Sequence, residues 1–148
     1  MTMAVTSVHT IQTAFLVTIF LLIRPSLAHN HIVGGSIWSI PLAADLYGNW
    51  AHNISFEVGD TLVFRFEMGL YDVVEVSQSE FEHCTAEKPF RAFLVGPAEL
   101  HLDEGGMRYF ICSVGNYCFL GMKLPVSVQS LQPPPPGGSS SPIPSPVP

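Results

Sequence analysis

Three cysteines, Cys84, Cys112 and Cys118, have the widest range of possible chemistry in this sequence. In an exported protein cysteines are expected to form disulfides, and an odd number leaves one thiol unpaired. Three pairings are possible. We favour Cys84–Cys118, because it closes a loop of roughly 35 residues and would stabilise the fold by about 3–4 kcal/mol. Cys112–Cys118 would close a much shorter loop and would compete with strand geometry if Cys112 lies in a strand.

The triplet Asn53-Ile54-Ser55 is an N-glycosylation sequon, and we predict a glycan on Asn53 because export is expected. The central part of the chain has no Ser-His-Asp order, carboxylate pair or metal-ligand cluster of recognisable spacing. We therefore predict that the protein is not an enzyme.

The first 28 residues have the features of a secretory signal. The apolar run 14–23 is too short to span a bilayer, which needs roughly 20 residues. Ser26-Leu27-Ala28 follows it with the small-x-small pattern of a signal-peptidase site. A short buried helix is the alternative interpretation of this run. We expect residues 1–28 to be removed and His29 to begin the mature chain, which would be secreted or lie on the outer cell surface.

Residues 132–148 are dominated by proline and serine. Such a composition cannot build a packed core and favours a solvated, polyproline-like stalk, whose Ser-Pro steps suit O-glycosylation. A glycosylphosphatidylinositol anchor needs a following apolar tail of roughly 10–20 residues, and this C-terminus does not support one. The protein is then either freely secreted, or its sequence continues beyond this point. The folded domain is predicted over 29–131, without a transmembrane span.

The chain is acidic, with a formal net charge of −6 from 6 basic and 12 acidic residues. Removal of Arg24 with the signal increases the imbalance. An acidic domain repels nucleic-acid backbones and anionic membrane surfaces, so neither is expected as a partner.

Short strands with turns between them must position these side chains. Alternation of apolar and polar residues predicts a strand over 53–58, a turn at Gly59-Asp60, and a strand over 61–66, together a hairpin or a sheet corner. Four more strands are predicted, over 72–76, 98–102, 107–112 and 121–128. Pro125 suggests that the last strand lies at an edge. Ser77 and Glu80 form a capping-box pattern and predict a short helix.

The order of these segments predicts an all-β, Greek-key sandwich or barrel with one short helix and one disulfide. The stretches Asp72-Val-Val-Glu-Val76 and Tyr109-Phe-Ile-Cys112-Ser-Val-Gly, followed by Cys118 and Gly121-Met-Lys-Leu124, resemble the phytocyanins. These plant cupredoxins include uclacyanins, stellacyanins, plantacyanins and the copper-free early-nodulin-like proteins. The resemblance covers 31–128 and implies a cupredoxin-like fold.

In that family two histidines, a cysteine and an axial Met or Gln hold copper, a donor set that suits both of its oxidation states. Carried onto this chain, the resemblance places these ligands at Tyr71, Cys112, Tyr117 and Met122. The two sulfur positions match, whereas tyrosine stands at both histidine positions. A phenol with a pKa near about 10 is a poor ligand at neutral pH. The resemblance therefore implies a degenerate copper site with no cofactor; copper would be the metal if one binds.

The remaining histidines of the mature chain lie where the family has no ligands, and we do not expect them to replace the lost pair: His29, His31, His52, His83 and His101.

Two functions follow from the resemblance. In the first, the protein is a copper-free binding or structural module of the plant cell surface. Tyr71 and Tyr117 then fill the former copper cavity and bind a cell-wall component or another surface protein. In the alternative, the retained Cys112 and Met122 belong to a type 1 copper centre that transfers electrons. Both sulfur side chains also suit a purely structural place in the core.

Overall fold

The computed structural model describes residues 27–130. The predicted signal, up to residue 26, and the proline-rich tail, from residue 131, lie outside these described residues. Among residues 27–130, no helix has the length and apolar character needed to cross a membrane. The described chain forms eight strands: β1 Asn30–Ile32, β2 Phe56–Glu57, β3 Thr61–Phe64, β4 Val73–Val76, β5 Arg91–Phe93, β6 Ala98–His101, β7 Gly106–Ile111 and β8 Lys123–Gln129.

The strands form two sheets. One has the order β1-β3-β6 and the other β2-β8-β7-β4-β5. β1 runs parallel to β3 and β2 parallel to β8, whereas the other pairs are antiparallel. The prediction of a mainly β fold with a Cys84–Cys118 disulfide is confirmed.

The strand predicted over 53–58 is mostly wrong. Only Phe56–Glu57 is extended, because helix α1, Leu46–His52, precedes it and Asn53 caps the helix end. Tyr47 and Ala51, one helical turn apart, are both buried and provide the apolar face that holds α1 on the domain. This spacing in the sequence was the signal for a second helix, which the strand interpretation missed.

The turn at 59–60 joins the two sheets, so the predicted sheet corner is correct and the hairpin is not. β2 pairs with β8 in one sheet and β3 pairs with β1 and β6 in the other. Gly59 has a positive φ of 102°, which favours glycine. The Asp60 carboxylate accepts the Glu57 N–H at 3.0 Å and holds the turn closed.

The helix predicted from Ser77 and Glu80 is present as α2, Gln78–His83, with both hydrogen bonds of the capping box. The edge position predicted from Pro125 is wrong for the strand as a whole, because β8 lies between β2 and β7. Since β2 pairs only with Val128 and Gln129, the flank of β8 beside Pro125 carries no strand, and proline is tolerated there.

Aromatic side chains fill the core between the sheets. The Trp38 ring is fully buried and lies 4.4 Å from the Tyr47 ring and 5.2 Å from the Phe64 ring, measured between centroids. Its indole N–H donates to the backbone oxygen of Asp72 at 2.9 Å. The core thereby fixes the start of β4, which leads into the site described next.

Candidate metal centre

The four positions singled out by the sequence lie together at one end of the sandwich. The Tyr71 and Tyr117 ring centroids are 5.8 Å apart. The Cys112 N–H donates to the Met122 oxygen at 2.9 Å, and the Met122 N–H donates to the Tyr117 oxygen at 3.0 Å. The four residues come from strand ends and one turn, and not from a single element.

The turn between β7 and β8 carries Tyr117 towards Tyr71. It is closed by the Tyr117 N–H, which donates to the Val114 oxygen at 3.2 Å. Gly121 ends the turn with a φ of 102°, and a Cβ there would lie 2.6 Å from the Ala44 oxygen. Only glycine fits such an approach, so the turn lies tightly against the loop that precedes α1.

Asp72 ties the two halves of the site together. Its buried carboxylate accepts the Ser113 N–H at 2.7 Å and the Ser113 hydroxyl at 2.5 Å. Since Asp72 follows Tyr71 and Ser113 follows Cys112, these bonds fix the spacing between Tyr71 and Cys112. From its sequence pattern, Asp72 was expected only to begin a strand, and its positioning role was not predicted. A carboxylate at the head of an otherwise apolar strand was the available signal.

The two sulfur side chains are buried. Cys112 is 1% exposed and Met122 is fully enclosed, both within the main core cluster. Burial raises the pKa of the Cys112 thiol to about 11, because the charged thiolate is poorly solvated there. In the metal-free protein the thiol is therefore protonated at neutral pH and is not an activated nucleophile.

The two tyrosine rings are half-buried and border an apolar surface. Chain neighbours of the tyrosines expose large side chains, among them Met68, Leu70 and Phe119. A groove of about 490 Å³ runs beside Tyr71 and is lined by Ile37, Ser39, Arg65, Phe66, Glu67, Leu70 and Tyr71. The surface beside the two tyrosines is thus mostly apolar, although Arg65 and Glu67 also line the groove.

The disulfide joins Cys84 and Cys118, with Cα atoms 5.7 Å apart, and Cys112 is a free, buried cysteine. Both predictions are confirmed. The disulfide fastens the end of α2 to the residue after Tyr117. Asn53, the predicted glycosylation site, is exposed, and its side-chain amide donates to the Asn49 oxygen at 2.8 Å; its glycan stays a prediction.

Four histidines make local contacts away from the two tyrosines. His83 bonds the Ser79 oxygen and His101 bonds the Thr61 hydroxyl, each at 2.8 Å. His29 and His31 gather around Asp60. Within residues 27–130, no three His, Cys, Asp or Glu side chains are arranged to hold a metal ion.

Comparison with known proteins gives consistent relatives. The family model of the plastocyanin-like domain matches residues 38–122. A "Blue copper protein" of Arabidopsis thaliana is 40% identical over 102 residues, which are 68% of this chain and 52% of that protein. Early nodulin-55-2 of Glycine max is 37% identical over 114 residues, 74% of this chain and 61% of that one. The chain thus spans about half to three-fifths of the length of these relatives.

Among solved structures, the Cu²⁺ form of cucumber stellacyanin at pH 7.0 superimposes with a TM-score of 0.66 at 33% identity. The match covers 72% of this chain and 100% of that one. The fold and the sequence therefore point to the same relatives.

Proposed function

This chain belongs to the phytocyanin family of plastocyanin-like domains, and we propose that its Tyr71–Tyr117 end holds no copper and is a binding surface. In this proposal the protein is secreted, lies at the outer cell surface or in the cell wall, and catalyses no reaction. The proline-rich segment 132–148 spaces the domain from the material to which it is attached.

The contact between Tyr71 and Tyr117 is the observation that carries the proposal. Two phenol rings, 5.8 Å apart, occupy the positions where the family resemblance expects imidazoles. Type 1 copper needs two neutral imidazoles and a thiolate. Here phenols replace both nitrogen donors, so that only the sulfur atoms of Cys112 and Met122 remain of the family's ligand set. The donor set does not fit the copper ion, and no redox role is assigned to it.

The surface around the two tyrosines supports a binding role. Exposed apolar side chains beside the tyrosines, such as Leu70 and Phe119, are typical of interaction sites when they cluster. Tyrosine suits such a surface because its ring packs against a partner while its hydroxyl forms a hydrogen bond. The domain thus offers one apolar end, with two phenol hydroxyls, on an otherwise acidic chain.

Electron transfer is the second candidate function. It is favoured by one observation: Cys112 and Met122 are both retained and are adjacent, with the Cys112 N–H donating to the Met122 oxygen at 2.9 Å. This candidate needs a nitrogen donor set that Tyr71 and Tyr117 do not supply.

Sedimentation with isolated plant cell-wall material tests the binding role. The secreted protein is mixed with washed wall fragments, and the bound fraction is compared with that of a Tyr71→Ala, Tyr117→Ala variant. We expect the bound fraction to fall at least about tenfold, which corresponds to about 1.4 kcal/mol of binding free energy.

A Phe90→Ala, Met107→Ala variant is the matched control. These side chains are 68% and 50% exposed and lie around a different pocket, beside Glu75 and Arg108, so their loss should leave binding unchanged. Equal binding by the tyrosine variant and the wild-type protein would count against the proposed surface, as would a wild-type protein that does not sediment.

A further inference from the structure

We infer that the mature N-terminus forms a second, unrelated metal site, in which His29, His31 and Asp60 bind a divalent transition-metal ion, Cu²⁺ most tightly. The nitrogen donors are the α-amino group of His29, the Nδ1 atom of His29 and the Nε2 atom of His31. The inference rests on the proposed removal of residues 1–28, which creates the α-amino group.

Asp60 is the centre around which these donors gather. One of its carboxylate oxygens accepts the backbone N–H of His29 at 2.8 Å, and the other lies 2.9 Å from His31 Nε2. The Nδ1 atom of His29 lies 3.8 Å from the first oxygen. All three nitrogen atoms therefore lie within 4 Å of one buried carboxylate.

The Asp60 carboxylate is enclosed by hydrogen-bond donors. It is 3% exposed and also accepts the Glu57 N–H at 3.0 Å. A metal ion at this point would replace the protons that now bridge the oxygens and nitrogens.

Strand geometry places both histidines on one side of the chain. His31 lies in β1 and His29 directly precedes it, two residues before His31, and side chains at this spacing point to the same face of an extended chain. The His29 oxygen accepts the Thr61 N–H at 2.8 Å, and Asn30 pairs with Thr61 of β3. The backbone that would carry the site is therefore fixed before any metal binds.

One ligand is already ordered and the other is free to adjust. The His31 side chain is 17% exposed, and its ring packs edge-on against Phe56 at 4.9 Å between centroids. The His29 side chain is 68% exposed, and its ring centroid is 6.3 Å from that of His31. Rotation of the exposed His29 side chain is enough to bring its Nδ1 atom towards His31, since nothing buries it.

Removal of residues 1–28 supplies a donor, the α-amino group of His29, that the unprocessed chain lacks. A peptide nitrogen has no free lone pair for a metal, whereas an N-terminal amine has one. The amine and Nδ1 of the same histidine close a six-membered chelate ring with a metal ion, and His31 adds a third nitrogen. Imidazole and amine donors suit Cu²⁺, which also heads the affinity order of divalent first-row metals. Side chains alone form no such group within residues 27–130.

The site is separate from the Tyr71–Tyr117 end. β8 begins directly after Met122 and ends at Gln129, whose oxygen accepts the Val58 N–H at 3.1 Å, two residues before Asp60. Seven residues of strand span roughly 20 Å. Sulfur is absent from the three ligand residues, so Cu²⁺ held here lacks the thiolate that gives type 1 copper its colour. The inference and the proposed function can therefore fail independently.

Titration of the secreted protein with Cu²⁺ tests the inference. The protein is purified from plant cells, its N-terminal residue is identified by mass spectrometry, and binding is followed by calorimetry and electron paramagnetic resonance. We expect His29 at the N-terminus, one Cu²⁺ per chain, and hyperfine splitting from nitrogen ligands. Affinity should fall at least about 100-fold in His31→Ala and in His29→Ala.

Two further variants make the result specific. Insertion of a glycine between Ala28 and His29 keeps both imidazoles but moves the amine, and it should weaken binding as strongly as His29→Ala. His52→Ala removes an exposed histidine at the end of α1 and should leave the affinity unchanged.

Three results would overturn the inference. The first is a mature chain that begins at a residue other than His29. The second is Cu²⁺ affinity that does not change in His31→Ala. The third is affinity lost in His31→Ala but kept in His29→Ala, because that pattern indicates a complex through the peptide nitrogens of Asn30 and His31 and not through the His29 side chain.

Discussion

At the residue scale, imidazole and phenol differ in whether they must lose a proton before they can bind a metal ion. A neutral imidazole offers a lone pair at pH 7, whereas a tyrosine must first give up a proton with a pKa near about 10. Tyr71 and Tyr117 keep the shape of a packed site while removing its nitrogen donors. The rest of the former ligand set, Cys112 and Met122, is enclosed in the core and contributes to packing in either state.

Restoring the two histidines should restore the metal. In a Tyr71→His, Tyr117→His variant, two imidazoles join the retained Cys112 and Met122, whose backbone atoms are hydrogen-bonded at 2.9 Å. We expect the variant to turn intensely blue on addition of Cu²⁺, as measured by visible absorption. A folded but colourless variant would contradict the view that only the donor atoms, and not the loop geometry, have changed.

The buried thiol of Cys112 should make stability depend on pH in the alkaline range. Its pKa is raised by burial from 9.0 to about 11, so above pH 9 the unfolded chain releases a proton that the folded chain retains. The contribution of the protonated thiol to the free energy of unfolding is fully present below pH 9 and is lost as the pH rises towards 11. Between about pH 8 and about pH 10.5, we expect the wild type to lose about 2 kcal/mol more than Cys112→Ala in urea unfolding. Equal losses of unfolding free energy in the wild type and in Cys112→Ala would show that ionisation of the thiol does not destabilise the folded protein.

At the scale of elements, the disulfide and the turn after β7 hold the site in place. Cys84 ends α2 and Cys118 follows Tyr117, so the bond fastens the helix to the turn that carries one of the tyrosines. Cys112, in contrast, fills space in the core and joins nothing covalently.

Loss of the disulfide should therefore cost more than loss of the free thiol. We expect Cys84→Ser to lower the free energy of unfolding by about 3–4 kcal/mol, from the loop that the bond closes. Cys112→Ser places a hydroxyl in an apolar site and should cost about 1–2 kcal/mol. Thermal unfolding of both variants measures the difference, and equal losses would contradict the structural role assigned to Cys84–Cys118.

The Glu75 carboxylate links three strands through two ion pairs. It lies in β4, is buried, and bonds the side chains of Arg91 in β5 and Arg108 in β7. Burial alone raises its pKa, but the hydrogen bonds from Arg108 and Arg91 outweigh this, so the pKa is lower than its ordinary value. The carboxylate therefore stabilises the fold above the ordinary pKa of 4.5, and this contribution is lost as the pH falls through the lowered pKa.

Replacing Glu75 by glutamine should show how much this carboxylate contributes to the free energy of unfolding. We expect Glu75→Gln to cost about 3 kcal/mol at pH 7, because the largely enclosed guanidinium of Arg108 and the more exposed guanidinium of Arg91 lose their anionic partner. The difference from wild type should shrink as the pH is lowered through the pKa of Glu75. Urea unfolding across this range gives the measurement, with Glu99→Gln on the exposed face of β6 as the control. A cost at pH 7 no larger than that of Glu99→Gln would contradict the role of Glu75.

Local patterns predicted those elements whose signal is local. The capping box at Ser77 and the alternation in 98–102 each gave the correct element, because a cap and a half-buried strand are visible in a few neighbouring residues. Helix α1 was missed because it is short and buries only Tyr47 and Ala51. Its apolar pattern is therefore weaker than the alternation of apolar and polar residues that follows it. The open flank at Pro125 depends on the short length of β2, which no feature of β8 itself reveals.

The site was predicted by resemblance and completed by tertiary contacts. The family pattern supplied Tyr71, Cys112, Tyr117 and Met122, and the structure brings all four together. The bonds from Asp72 to Ser113 span 41 positions of sequence, and no short-range pattern predicts such a pair. The gathering of His29 and His31 at Asp60 is likewise a product of β1 lying beside β3.

On the scale of the whole molecule, the domain is a two-sheet sandwich with different chemistry at its two ends. The Tyr71–Tyr117 end is apolar and joins strand ends through a disulfide-anchored turn. The opposite end has the Asp60 turn and the first strand of the predicted mature chain. The family fold is thus retained by its core and its disulfide, and in our proposal its Tyr71–Tyr117 end no longer holds type 1 copper.

The visible absorption spectrum of the secreted wild-type protein after addition of Cu²⁺ tests this account most directly. Without imidazoles at positions 71 and 117, no type 1 copper–thiolate centre should form. We predict a folded protein that shows no intense blue band, whether or not a copper ion binds elsewhere on the chain. An intense blue colour with one copper per protein would contradict the account and would establish a working type 1 centre.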